Sequence, residues 1–145
     1  MQDTLHSVPT RKRGLSYLFT GKHHGGGTAD DACWSKELMP DEEFSVFETA
    51  DILDILDDDR RFYGVLRDPL GDLHDLGTWQ QQIAVFTGTE TGPWHGYPVW
   101  PVDDSAPSNR AAQRMRPSKS VFAAMQSVGL ISAQQRKRLE KGNFA

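Results

Sequence analysis

The sequence predicts an α+β domain, a small sheet or hairpin with packed short helices and a helical hairpin at the C-terminus. Three observations carry that expectation. Short apolar stretches with alternating or continuous character recur between turn residues, which is strand-like. Two stretches place apolar residues at helical spacing. The last thirty residues hold two such stretches separated by a glycine and a serine, the pattern of a capped helix pair.

The chain has 145 residues, enough for one domain with one core, with 37% apolar and 25% charged residues. It is read as a flexible arm over residues 1–13 followed by a single domain over 14–145. No stretch has the ~20 apolar residues that cross a bilayer, and the N-terminus lacks the apolar core of a secretory signal. A cytoplasmic protein without membrane contact is therefore expected. Cys33 is the single cysteine, which leaves no internal disulfide and no paired-thiolate zinc site.

The elements follow in order. "GLSYLFTG" alternates Leu15, Tyr17 and Phe19 with smaller neighbours and reads as a short strand, and the glycine triplet after it makes residues 21–28 a flexible loop. In "EEFSVFETA", Phe44 and Val46 suit one face of a strand, with a helix starting after Pro40 as the competitor. "TADILDILDDDRR" reads as a helix capped by Thr49 or Asp51, with Ile52, Ile55 and Leu56 inward and its aspartates in solvent. "FYGVLRDPLGDLHDLG" is a hairpin turning at "DPLG". "TWQQQIAVF", with Trp79, Ile83 and Phe86 at i, i+4 and i+7, reads as a short helix. Residues 103–118 read as a polar linker, in which any helical turn ends near Arg116, before Pro117. Residues of about 117–142 then make the helical hairpin: Val121, Phe122, Met125 and Val128 form one stripe, Gly129 ends the first helix, Ser132 caps the second and Gly142 closes it.

Two segments carry the candidate sites. "GPWHGYPVWPV", residues 92–102, has three prolines, which exclude a helix or a central strand and leave an extended path. With three residues per polyproline turn, Trp94, Tyr97 and Trp100 would align on one side, either capping the core or forming a contact surface. Large aromatics in a domain this small go to the core more often than to a partner. In "AQQRKRLEKG", Arg136, Lys137, Arg138 and Lys141 span too wide an arc of helix to be buried together, and Gln134 near its start occupies the place of a base-reading side chain in a helix-turn-helix.

Charge is uneven along the chain. Residues 29–59 carry twelve acids against Lys36 alone, and residues 110–141 carry eight bases against Glu140 alone. These segments either face each other, within the fold or in a dimer, or serve external partners. The resulting expectation is a non-catalytic binding module that contacts nucleic acid or an acidic protein surface through Arg136, Lys137, Arg138, Lys141 and Gln134, with Trp94, Tyr97 and Trp100 as aromatic contacts. The alternative is a small metal-independent nuclease or toxin-like phosphate-directed enzyme, with His95 and His74 as acid and base and Arg67 as the phosphate-holding cation. Neither reading calls for a cofactor. The pair His23 and His24 lacks a carboxylate or cysteine at a familiar ligand spacing, so no metal is expected.

Overall fold

A computed structural model describes residues 2–24, 33–89, 91–100, 116–143 and 145. Among the described residues, two small antiparallel sheets and three α-helices make up an α+β fold. Strand β1 (Thr4–Leu5) pairs with β2 (Leu18–Phe19), and β3 (Phe62–Gly64), β4 (Ile83–Thr87) and β5 (His95–Val99) form a second sheet in that spatial order. Helix α1 (Pro40–Ile52) lies between the two sheets in sequence, and α2 (Lys119–Ser127) and α3 (Ala133–Glu140) close the chain.

Residues 40–52 form a helix, not the strand suggested by Phe44 and Val46. Pro40 presets φ at the first helical position, Glu42 accepts the Met39 N–H at 2.9 Å, and Phe44, Phe47 and Ala50 then share a buried face. The register of the main sheet shows what that face covers. Phe62 stands opposite Phe86 and Phe86 opposite Gly96, so all three share one side. Phe47 lies 5.9 Å from Phe62 and 5.1 Å from Phe86, and Gly64 leaves the space that Val46 fills. A methyl group on Gly64 would fall 2.6 Å from Val46 Cγ1 and 2.9 Å from its carbonyl.

The helix expected over "TADILDILDDDRR" does not form. Thr49 and Asp51 belong to the last turns of α1, which stops at Ile52, and Asp54 and Arg60 both take positive φ. The aspartates make turns: Asp57 Oδ1 accepts the N–H groups of Asp59 and Arg61, each at 2.9 Å. Short acidic side chains that bond their own backbone compete with helix, and here they win.

"TWQQQIAVF" is likewise not a helix. Leu76 donates its N–H to the Gln81 carbonyl at 2.6 Å across a turn, and Ile83 to Phe86 run through the middle of the sheet. Four consecutive residues are fully buried, so both faces of β4 are covered, and an apolar run of that kind suits a central strand. The i, i+4, i+7 spacing was coincidental. The hairpin at "DPLG" does form: Arg67 pairs with Leu73, and Asp68 Oδ1 accepts from Leu70 and Asp72 at 2.8 and 2.9 Å.

The N-terminal segment, expected as a flexible arm, is tied into the domain. Beyond the β1–β2 pairing, Arg11 reaches Glu48 at 3.1 Å, Lys12 reaches Asp54 at 2.7 Å, and Arg13 reaches Asp51 at 2.5 Å and also Asp54. Low apolar content suggested freedom, but the basic run complements the acidic end of α1. The N-terminal bases thus pair with Glu48, Asp51 and Asp54, three of the twelve acids in residues 29–59. Within residues 21–28, Gly21–His23 is a 3-10 turn; the glycine triplet and most of the linker before Pro117 lie outside the described residues.

At the C-terminus the helix pair forms as expected. Ser118 caps α2 by accepting from Val121, Gly129 turns the chain at φ +80°, and Ser132 caps α3 in a reciprocal box with Gln135. Val121, Phe122, Met125, Ile131 and Leu139 join the same core as the sheet. Val128 is exposed and does not.

Candidate nucleic-acid interface

Helix α3 buries Leu139 and turns Gln134, Lys137, Arg138 and Lys141 to solvent. Their i, i+3, i+4, i+7 spacing makes them one stripe. Arg136 points elsewhere: its Nε donates to Glu140 at 2.7 Å and its Nη1 to Gln126 at 3.2 Å, so it braces α3 against α2. Gln135 is also occupied, donating to the Gly71 carbonyl at 2.9 Å while its oxygen accepts the Ser132 N–H. Of the two glutamines near the start of the helix, Gln134 alone is exposed.

Arg67 meets this surface from the sheet side. It leaves the β-hairpin to donate to the Gly71 carbonyl at 3.4 Å and, through Nη1, to the Gly129 carbonyl at the corner between the helices. The hairpin tip is thereby fastened to the helix pair. Between them lies a cleft of about 360 Å³, lined by Arg67, Leu70, Asp72, Gln134 and Arg138 among others, with Leu70 projecting at 88% exposure. Among the described residues Lys137, Arg138 and Lys141 have no ion pair, so this face carries uncompensated positive charge.

The aromatic segment is built differently from the sequence expectation. Residues 95–99 form a strand, not a polyproline path, because the backbone of β4 offers a full ladder on one side; the outer position tolerates the missing N–H of Pro98. A two-residue period replaces three, so His95, Tyr97 and Val99 share one face and Gly96 the other. Trp94, Tyr97 and Trp100 are 7, 8 and 6% exposed. They do not form an aligned contact surface, and stacking a base on them is ruled out by burial. Trp94 packs on Phe62 at 5.1 Å and Phe47 at 6.0 Å.

The three residues of the enzyme alternative have separate surroundings. His95 is half-buried on β5, with its ring 6.1 Å from His23, which in turn stacks on Tyr97 at 4.7 Å; burial first, and the Lys22 charge second, push its pKa below the ordinary value. His74 follows Leu73 in the hairpin, so it points to the opposite face from Arg67, into a cleft also lined by Glu37, Glu42 and Asp75. Carboxylates around an imidazole repel a phosphate. Arg67 is held by two carbonyls beside α3.

A buried polar group that the sequence pattern does not reveal sits under α1. Glu43 accepts from the Tyr17 hydroxyl and lies 2.6 Å from His24 Nε2, while His24 Nδ1 meets the Thr20 carbonyl. Burial alone would lower the His24 pKa; the hydrogen bonds to Glu43 and Thr20, together with the Glu43 charge, outweigh it and raise the pKa. Among the described residues no group of three or more His, Cys, Asp or Glu converges to hold a metal ion.

Fold and surface together define the protein as a small α+β domain with a basic helical face. No family model, curated protein or solved structure matches the chain.

Proposed function

We propose that the domain is a non-catalytic binding module that holds nucleic acid by its phosphate backbone through Lys137, Arg138 and Lys141, with Gln134 and Arg67 at the edges of the contact. The observation that carries this is the pairing of the acidic end of α1 with Arg11, Lys12 and Arg13 and of Arg136 with Glu140, which leaves Lys137, Arg138 and Lys141 exposed and without ion pairs among the described residues. Charge that serves no purpose inside a fold, set in a stripe beside a polar cleft, suits a polyanion. Cys33, the single cysteine, is a buried thiol, which accords with a reducing compartment, and the cytoplasm is where we place the module. No helix among the described residues is long and apolar enough to cross a membrane.

The test is fluorescence anisotropy with labelled single-stranded and duplex oligonucleotides over a range of salt. Exchanging Lys137, Arg138 and Lys141 together for Gln should weaken binding and flatten the salt dependence by up to about three units of slope, about 0.9 for each duplex phosphate that is no longer neutralised. The fold should survive, since exposed charges change stability by less than about 0.5 kcal/mol each. Wild-type protein that binds neither oligonucleotide at low salt would turn the reading toward an acidic protein surface. Unchanged affinity and slope in the triple variant would remove α3 from the contact.

A further inference from the structure

The cleft between the β-hairpin and the helix pair is braced from both sides. On the hairpin side Asp68 closes the turn: its carbonyl accepts the Gly71 N–H at 3.0 Å, its own N–H donates to the Asp72 carbonyl at 2.9 Å, and its Oδ1 holds the N–H groups of Leu70 and Asp72. From the helix side Gln135 reaches the Gly71 carbonyl at 2.9 Å, while Arg67 crosses to the Gly129 carbonyl. Gly71 sits at φ +90°, and a Cβ there would stand 2.8 Å from Nη2 of Arg67, so the guanidinium lies close against the turn.

The side chains in the walls are, by contrast, unspent. Asp72, Gln134 and Arg138 are exposed and make no side-chain hydrogen bond or ion pair among the described residues. Arg67 gives one N–H from Nε and one from Nη1 to carbonyls, and the rest of its donors have no acceptor among the described residues. Leu70, at 88% exposure, is covered by almost nothing. A single exposed leucine is ordinary on a surface, but this one shares a cleft with two guanidiniums, a carboxylate and an amide.

Asp72 decides which ligand fits. A bare phosphate would meet its charge, and an apolar ligand would leave Arg67, Arg138 and Asp72 unanswered. A nucleotide whose base carries an exocyclic amino group answers every wall: phosphate for the guanidiniums, a flat ring for Leu70, and an amino group that donates to a carboxylate, as cytosine does to an acidic side chain. About 360 Å³ has room for one such unit. In a duplex both faces of a base are covered by its neighbours in the stack, so the base that meets Leu70 has to be unpaired.

We propose that this cleft holds one unpaired nucleotide of a single strand, its phosphate between Arg67 and Arg138, its base against Leu70 and its amino group on Asp72, with Gln134 serving the remaining edge. The site depends on the nucleic-acid reading and narrows it, from a phosphate backbone of any kind to a single strand that offers an amino-bearing base. Lys137 and Lys141 are not among the residues that line the cleft, and they contribute charge alone.

The test compares labelled oligo-deoxycytidine and oligo-deoxyuridine of equal length by fluorescence anisotropy, in mildly alkaline buffer that keeps deoxycytidine strands unpaired. The two bases differ at C4, an amine in cytosine and a carbonyl in uracil, and in the adjacent ring proton, so the phosphate contacts cancel. The wild type should bind the deoxycytidine strand about tenfold more tightly, the worth of one hydrogen bond to a charged group. Asp72→Asn should bring the two affinities together, because an amide answers a carbonyl as well as an amine. Leu70→Ala should weaken both strands about fivefold while leaving their ratio and the salt slope as they are. Both residues are exposed, so the variants keep the fold. Exchanging Lys137 and Lys141 for Gln should lower both affinities and flatten the salt slope with the preference kept, which separates this site from the backbone contact. Equal affinity of the wild type for the two strands, or a preference that survives Asp72→Asn, would overturn the nucleotide site and leave the backbone contact standing. Failure to bind either strand would overturn both.

Discussion

Replacing Arg13 by Ala should unfold the protein at a markedly lower temperature, although the residue sits in a stretch that composition marks as a loose arm. Asp51 is 0% exposed, and Arg13 Nη1 serves both its Oδ1 at 2.5 Å and its backbone carbonyl at 2.7 Å. Removing one partner of a buried pair costs about 3 to 5 kcal/mol because the other charge stays behind. Here the guanidinium is 32% exposed, so water reaches part of the vacated space. The Arg13 backbone N–H, 3.2 Å from Asp51 Oδ2, also remains as a donor in any variant. Both considerations lower the expected loss to about 2 to 4 kcal/mol. For a domain of this size that is about 6 to 16 °C in Tm. Circular dichroism melts in matched buffers measure it, with Lys12→Ala as the control. Lys12 makes a solvent-exposed pair with Asp54, so its loss should barely register. Combining Arg13→Ala with Asp51→Asn should restore part of the stability, since it removes the stranded charge. An Arg13→Ala melt no lower than that of Lys12→Ala would refute the reasoning and return residues 1–13 to the status of a free arm.

Trp94→Ala should cost about 3 to 5 kcal/mol in denaturant unfolding, the range for a large aromatic lost from a core, whereas His95→Ala, on a half-buried ring, should cost under about 1 kcal/mol. Gly96→Ala should destabilise by at least about 2 kcal/mol, because the new methyl group would sit 2.5 Å from Phe86 Cε1 and 2.9 Å from the Val85 carbonyl; a variant as stable as wild type would show that the two strands can part without loss. For His24 the raised pKa sets the sign of a pH effect: its contribution is fully present below the ordinary imidazole value of 6.5 and is lost as pH rises through the folded value above it. The stability gap between wild type and His24→Gln should therefore narrow as pH rises past neutrality, and a gap that widens would show that burial, not Glu43, controls this imidazole.

The C-terminal helix pair was legible because its information is local. Ser118, Gly129, Ser132 and Gly142 act within a turn or two of chain, through caps and positive φ, and Leu139 is the one apolar residue that α3 has to bury. The same holds for the hairpin, where the Asp68 carboxylate and the positive φ of Gly71 make the turn within five residues. In α1 and β4 the local signals were divided. Phe44, Val46 and Phe47 admit either period, and so do Trp79, Ile83 and Phe86; what decided was which faces found cover, and that depends on residues far along the chain.

By itself the sequence determined the class of fold, the capped helix pair and the exposure of most of the α3 bases, since a short helix with one apolar residue cannot bury four cations wherever it packs, although Arg136 turns to Glu140 and Gln126. Tertiary structure alone decided the rest. It brought Arg13 onto Asp51 and Tyr17 onto Glu43 across 38 and 26 residues of chain, and turned Trp94 and Tyr97 to opposite faces. Charge pairing and strand register are properties of neighbours in space, and a one-residue change of register moves every side chain to the other side of a sheet.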